Sequence, residues 1–133
     1  MLVMSEIAEQ SPEYELDALL FVHSALDYAL AHYSQNAPGV SRHLTGAELS
    51  EGVRLFAIEQ FGEMAYFTLN SWGLKSTYDI GCIVFKMIDK EVFSKQEGDS
   101  LDDFRNVYSF KEAFPPHLAF EDYDFPDLPI IDQ

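Results

Sequence analysis

Signals for helix starts recur through residues 42–91, and their spacing constrains the fold more than any other feature of the chain. Thr45-Gly-Ala-Glu48 has the Thr-x-x-Glu form of a capping box, which predicts a helix beginning at Gly46. Ser76-Thr-Tyr-Asp79 repeats the capping pattern ahead of a second apolar run. Apolar residues at three- and four-residue steps follow each cap, so both segments are expected to be amphipathic helices.

Helix stops fall between these starts. Phe61-Gly62 predicts a bend or break, after which residues 64–71 form a shorter helix. Trp72-Gly73 ends that helix, with the glycine in the left-handed conformation. The following helix is expected to run from residue 77 to about residue 90.

A longer apolar pattern precedes residue 40 and follows a weakly patterned lead-in, residues 1–12. The apolar residues form two neighbouring stripes, which predict one helix. The first stripe is Leu16, Leu19, Leu20, His23, Leu26, Leu30 and Tyr33. The second stripe is Tyr14, Ala18, Phe21, Ala25, Tyr28 and His32. Such a helix needs cover on two sides, which the domain itself or a homodimer would supply. Asn36-Ala-Pro-Gly39 is expected to end it.

Two short strands are predicted after the helices, at residues 93–95 and 105–110, with a turn at residues 97–100. This order predicts a single domain over residues 1–133 that is mainly α with a small β-hairpin (α+β). A winged-helix-like domain with an added N-terminal helix and a generic helical bundle both fit it.

The charge of the chain is strongly acidic at both flanks. The formal net charge is −15. Residues 1–40 carry six acidic side chains and no basic one, and residues 97–133 carry ten acidic and two basic ones. The central residues, 41–96, are nearly balanced, with seven acidic and six basic side chains. Such a field disfavours nucleic acid and anionic membrane surfaces as partners. On the helix from residue 77, Lys86 and Lys90 are nearly cancelled by Asp79, Asp89 and Glu91, so a DNA-binding winged helix is not expected.

Compartment and membrane association follow from a few residues. The single cysteine, Cys82, has no disulfide partner within the chain, and no basic and apolar leader opens the sequence. The longest nearly uncharged stretch, residues 64–75, is shorter than the roughly 20 residues that a bilayer requires. We therefore expect a cytoplasmic protein without a transmembrane segment.

Several motifs within residues 14–114 resemble a small family of uncharacterised conserved bacterial proteins, found chiefly in the planctomycete and verrucomicrobial group. They are Phe21-Val-x-x-Ala-Leu-Asp-Tyr28, Arg42-His-Leu-Thr-Gly-x-Glu-Leu-x-Glu-Gly-x-Arg54, Gln60-Phe-Gly-x-Met-Ala65, Trp72-Gly-x-x-Ser-Thr-x-Asp79, Ile83-Val-Phe85, Asp99-Ser-x-x-Asp-Phe104 and Val107-Tyr-x-Phe-x-x-Ala-Phe114. The resemblance implies no substrate, cofactor or catalytic residue. Ile80-Gly-Cys82 departs from the family's Phe-Gly-Glu, which places in doubt any role that needs a carboxylate there.

Metal and nucleophile patterns are weak. His23, Asp27, His32, His43 and Cys82 offer zinc ligands, yet no Cys-x-x-Cys or His-x-x-x-His spacing selects them. The acids at residues 97–103 lack the register of a calcium loop, and Ser100 with Asp103 is better explained as a helix N-cap. We expect no metal, no cofactor and no catalytic residue.

Two further surfaces are candidates for binding. Arg42 and His43 precede a helix start whose amides attract anions, and Trp72 lies at a helix end, so these three residues mark a speculative ligand pocket. The acidic, proline-containing tail, residues 115–133, either packs along the domain or docks into another protein or a second copy. Its candidate contact residues are Tyr123, Phe125, Leu128 and Ile130.

Together these features predict a non-catalytic protein-interaction or regulatory module with an unknown protein partner or a homodimer. The alternative is a small-ligand-binding protein or enzyme with a pocket near Arg42, His43 and Trp72.

Overall fold

A computed structural model describes residues 2–36, 44–93 and 99–114. These residues contain six α-helices and two 3₁₀ turns, and no strand. The helices are α1 (Leu2–Glu9), α2 (Leu16–Asn36), α3 (Gly46–Phe61), α4 (Ala65–Ser71), α5 (Thr77–Asp89) and α6 (Phe110–Ala113), and the 3₁₀ turns are Gly62–Met64 and Leu101–Phe104.

For the described part of the chain, the predicted β-hairpin is wrong, and the predicted α+β class is therefore wrong as well. Arg105 and Asn106 form a turn, and α6 begins at Phe110. The amide of Val107, which a strand would bond to a neighbouring strand, donates instead to the Thr77 hydroxyl at 3.2 Å. Residues 94–95 of the other predicted strand lie outside the described residues. Without a wing in the described segments, the winged-helix-like architecture is not supported either.

The predicted helix starts are confirmed. The Glu48 amide donates to Thr45 Oγ1 at 3.1 Å, and the Thr45 amide donates to Glu48 Oε1 at 3.0 Å, which completes the capping box of α3. Ser76 caps α5, and Ser100 caps the second 3₁₀ turn. Each such cap typically contributes about 1 kcal/mol, so local sequence fixes where these elements begin.

The predicted breaks are confirmed as well. Helix α3 ends where Gly62 takes a φ of 54°, and Gly73 follows α4 with a φ of 95°. Both values lie in the left-handed region that glycine tolerates. The short helix expected at residues 64–71 begins one residue later, after the Gly62–Met64 turn.

The N-terminal segment is more ordered than its sequence pattern suggests. Residues 2–9 form α1, and the side chains of Met4 and Ile7 are fully buried. The helix packs against α2 and α5. One turn of apolar residues was too short a signal to predict a helix, but burial of these two side chains holds it in place.

Helices α2 and α3 form the most extensive helix pair and build the centre of the core. Gly52 on α3 faces Ala29 on α2 so closely that an added Cβ at position 52 would overlap the Ala29 methyl group. Small residues at this crossing allow the two backbones to approach. The largest fully buried side chains of the described core are Met4, Ile7, Leu19, Val22, Leu26, Val53, Leu69, Leu74, Ile80, Ile83, Val84 and Met87.

The second 3₁₀ turn is fastened to α5. The Thr77 hydroxyl donates to the Phe104 carbonyl at 2.6 Å, and the Phe104 ring packs where a side chain at position 81 would stand, 2.6 Å from a Cβ built on Gly81. Glycine inside this helix therefore serves close packing, because it makes room for an aromatic ring.

Candidate functional site

A concave surface of the described residues is lined by side chains from α2, from the end of α3 and from the residue after α4. We call this surface the aromatic groove. It has a volume of about 400 Å³, opens to solvent and is lined by Asp17, Leu20, Phe21, Ser24, Phe56, Gln60, Phe61 and Trp72. A second concavity of similar volume lies beside α1, but Val3 is the single apolar residue among the described residues that line it.

Phe21 forms the centre of the groove floor. Its ring centroid lies 5.4 Å from that of Phe56, 5.6 Å from Phe61 and 5.8 Å from Trp72. Phe61 and Trp72 meet edge to face at 5.7 Å. Aromatic pairs at these separations are mutually stabilising, and each ring also buries a large apolar area. Phe21 is almost fully buried, whereas the other three rings are only half-buried and present apolar surface to the groove.

The position of Trp72 is set by contacts to the segment before α2. The Glu15 amide donates to the Trp72 carbonyl at 3.1 Å. The next residue, Gly73, lies so close to the Glu13 carbonyl that an added Cβ would overlap it. A side chain at position 73 would push the two segments apart, so the glycine both ends α4 and brings Trp72 to the groove.

Helix α2 leaves part of its apolar surface uncovered, as its two-sided pattern allows. Leu19 and Leu26 of one stripe and Ala18 and Ala25 of the other are buried, but Leu20 remains 37% exposed at the groove. Leu16, one helical turn earlier, has the same exposure. The described domain covers most of α2, and this strip beside the aromatic floor is what it leaves bare.

Aromatic side chains continue along α2 beyond the groove. The Tyr28 ring lies 5.3 Å from Phe56 and stacks on His32 at 6.3 Å. Partial desolvation raises the pKa of the Tyr28 hydroxyl, and the nearby Glu59 carboxylate raises the pKa further. Tyr28 is therefore neutral at physiological pH and extends the apolar strip with a polar edge.

The described structure does not test whether the residues predicted from sequence to form a ligand pocket come together. Trp72 lines the aromatic groove. Arg42 and His43 lie outside the described residues, and so do Tyr123, Phe125, Leu128 and Ile130 of the tail. Of the proposed site residues, Trp72 alone can be placed.

Other polar clusters have structural partners. Asp102 accepts from Arg105 Nε at 2.7 Å, and Asp103 accepts from the Ser100 amide at 3.0 Å, so these acids cap and brace the 3₁₀ turn. His23 Nδ1 and Asp27 Oδ2 are 4.0 Å apart on an exposed face of α2. Across residues 2–36, 44–93 and 99–114, no three His, Cys, Asp or Glu side chains gather in a way that could hold a metal ion.

The sequence pattern placed Leu20 and Phe21 on the two apolar stripes of α2 and Phe61 in a helix break. The groove that they form depends on how α2 and α3 cross, which no local pattern reveals. The one usable signal was the second apolar stripe of α2, because a helix with two apolar faces in a small domain has surface left to cover.

Comparison with models of protein families, with curated proteins and with solved structures found no match in any of the three. None of the helices in the described segments has the length and apolar character needed to cross a membrane.

Proposed function

We propose that this chain is a non-catalytic protein-interaction module that docks a helical segment of another protein in the aromatic groove. The observation that carries the proposal is the exposure of Leu20 beside the half-buried rings of Phe56, Phe61 and Trp72. Apolar and aromatic side chains gathered around a concave surface are a feature of interaction sites.

The shape of the surface supports a helix as the docked element. Most of the lining residues come from α2 and α3. The exposed Leu20 lies in the groove, and the equally exposed Leu16 precedes it on α2 by one helical turn. An amphipathic helix places apolar residues at the same spacing and can lay them along such a groove. Aromatic residues are enriched among the contacts that dominate binding energy, and Trp72 and the phenylalanines supply them here.

The polar groups of the groove support binding over catalysis. Among the described residues that line it, Asp17, Ser24 and Gln60 are polar, and none is a histidine, cysteine or lysine. A hydrolytic or transfer site needs a nucleophile beside a base and an electrophilic group to stabilise developing charge. The alternative, a small-ligand-binding protein or enzyme, is favoured only by the presence of Trp72 in a concave surface.

The acidic balance of the chain supports a protein partner over nucleic acid or a membrane surface. A formal charge of −15 opposes approach to phosphate backbones and to anionic head groups.

The test compares two substitutions of matched chemistry. Leu20→Ser removes apolar surface at the groove, whereas Ile58→Ser does the same on α3 at a side chain that is 40% exposed and does not line the groove. A partner is first isolated with the full-length protein from its native cell extract, identified, and then purified. Its affinity for each variant is measured by calorimetry.

We expect Leu20→Ser to weaken binding by about tenfold, which corresponds to about 1.4 kcal/mol, and Ile58→Ser to leave it unchanged. Equal effects of the two substitutions would show that the partner binds elsewhere. Substrate turnover by the purified protein that is unaffected by Leu20→Ser would replace the interaction module with an enzyme.

A further inference from the structure

The helices that supply most of the groove lining carry more acidic than basic side chains, and this limits what can dock there. Helices α2 and α3 together carry five carboxylates, which are Asp17, Asp27, Glu48, Glu51 and Glu59, and one cationic side chain, Arg54. Arg54 is already engaged, since its Nε donates to Glu51 Oε1 at 2.9 Å. Glu63 adds another carboxylate in the turn that follows α3.

Asp17 is the one carboxylate among the described residues that line the groove. Its side chain is exposed, and it makes no hydrogen bond or ion pair with another described residue. It therefore stands beside the rings of Phe21 and Trp72 as an acceptor that a ligand can use. A carboxylate next to aromatic faces is suited to a cation, because the ring faces attract positive charge as well.

We infer that the segment docked in the aromatic groove is a basic amphipathic helix, and that one of its Lys or Arg side chains pairs with Asp17 over the aromatic floor. This inference rests on the proposed docking function and adds the chemistry of the partner. Opposite charges across an interface speed association and exclude wrong partners, while the apolar face supplies most of the affinity.

Charge also argues against two other occupants. A second copy of the chain would bring another acidic α2 and α3 against these helices. Residues 115–133 of the chain itself carry five acidic side chains and no lysine or arginine, so the tail meets the same repulsion. Like charges placed opposite each other cost several kcal/mol, which leaves a basic partner as the complementary choice.

The chain offers a direct reporter for the test. Trp72 is its single tryptophan and lies in the groove, so intrinsic fluorescence of the full-length protein responds to occupancy. Three tryptophan-free peptides of about 18 residues, or roughly five helical turns, serve as probes. Two are helical with the same Leu/Phe face, flanked by Lys and Arg in one and by Gln in the other. The third contains residues 115–133.

Asp17→Asn and Asp27→Asn form a matched pair of variants. Each removes one negative charge from α2, but Asp27 does not line the groove. We expect the basic peptide to bind the wild-type protein about tenfold more tightly than the Gln peptide, and this advantage to shrink as salt screens the charges. We expect Asp17→Asn to remove most of the advantage and Asp27→Asn to retain it.

Each of the other outcomes would overturn one part of the inference or of the proposed docking function. Equal binding of the basic and Gln peptides, or equal effects of the two variants, would overturn the pairing with Asp17 and leave the docking groove standing. Tightest binding by the 115–133 peptide would assign the groove to the chain's own tail. A dimer in light scattering that Leu20→Ser dissociates would assign it to a second copy. No change in Trp72 fluorescence with any peptide would overturn both the inference and the docking function.

Discussion

The Tyr14 hydroxyl donates a hydrogen bond of 2.7 Å to Asp79 Oδ1, which joins the segment before α2 to the first turn of α5. The other oxygen of this carboxylate accepts from the Lys75 amide at 2.9 Å. One aspartate thus fixes both the start of α5 and the loop that follows Trp72. Because the same loop carries a wall of the aromatic groove, this bond is a structural support of the candidate site.

Tyr14→Phe removes the hydroxyl and leaves the ring in place. We expect it to lower the free energy of unfolding by about 1.5 kcal/mol, since the lost hydrogen bond has a charged acceptor. Chemical denaturation of the full-length protein measures the change. Tyr66→Phe is the control, because the Tyr66 hydroxyl makes no hydrogen bond to a described residue. A comparable loss in both variants would mean that the Tyr14 bond contributes nothing specific.

The stability provided by Tyr14 should also depend on pH. Burial raises the pKa of its hydroxyl well above the ordinary value of 10, and the Asp79 carboxylate raises it further. The stabilisation is therefore complete below pH 10 and declines above it, because the unfolded chain ionises there while the folded protein does not. For one such group, the free energy of unfolding then falls by at most about 1.36 kcal/mol per pH unit.

Measured between pH 7 and pH 11, the difference in unfolding free energy between wild type and Tyr14→Phe should narrow once the pH exceeds 10. Titrating lysines affect both proteins and cancel in the difference. A constant difference across this range would show that the pKa of Tyr14 is not raised in the folded protein.

Local signals predicted the helix boundaries well because caps act within a single turn. The side chains of Thr45 and Ser76 each accept a hydrogen bond from the backbone amide three residues later, and Gly73 takes the positive φ that follows α4. A short stretch of sequence therefore contains each whole interaction. The aromatic groove could not be read in this way. It requires Phe21 and Phe56 to meet across two helices, and that meeting depends on the distance between the helix axes.

The strand prediction failed for a related reason. Val107, Tyr108 and Phe110 are residue types that favour strands, but such preferences mainly report a fit to a neighbouring sheet. The hydroxyl of Thr77, thirty positions earlier in the chain, accepts a hydrogen bond from the Val107 amide. The Tyr108 hydroxyl donates to the Ser50 carbonyl at 2.7 Å. Tertiary partners that no local pattern shows therefore overrode the preference.

The close crossing of α2 and α3 should be intolerant of a single added methyl group. Gly52→Ala places a Cβ where the Ala29 methyl group already lies. Alanine is the better helix former by about 1 kcal/mol, yet overpacking a core commonly costs about 1–3 kcal/mol. We expect a net loss of stability in thermal or chemical unfolding.

Ala29→Gly in the Gly52→Ala background tests the cause, because it removes the overlapping methyl group from the opposite helix. The double variant should recover part of the loss and show a coupling energy of about 1 kcal/mol in a double-mutant cycle. Strict additivity of the two substitutions would show that the contact does not set the distance between these helices.

Thr77 should be the decisive residue for the segment that was expected to be a strand. Its buried hydroxyl donates to the Phe104 carbonyl and accepts from the Val107 amide, so Thr77→Val leaves both backbone groups without their partner. We expect a loss of about 1–3 kcal/mol in unfolding free energy and faster hydrogen exchange at the Val107 amide. Thr77→Ser keeps the hydroxyl and should retain the slow exchange. If Thr77→Val leaves exchange at Val107 unchanged, the amide has another acceptor, and the Thr77 hydroxyl is not what keeps this segment from forming a strand.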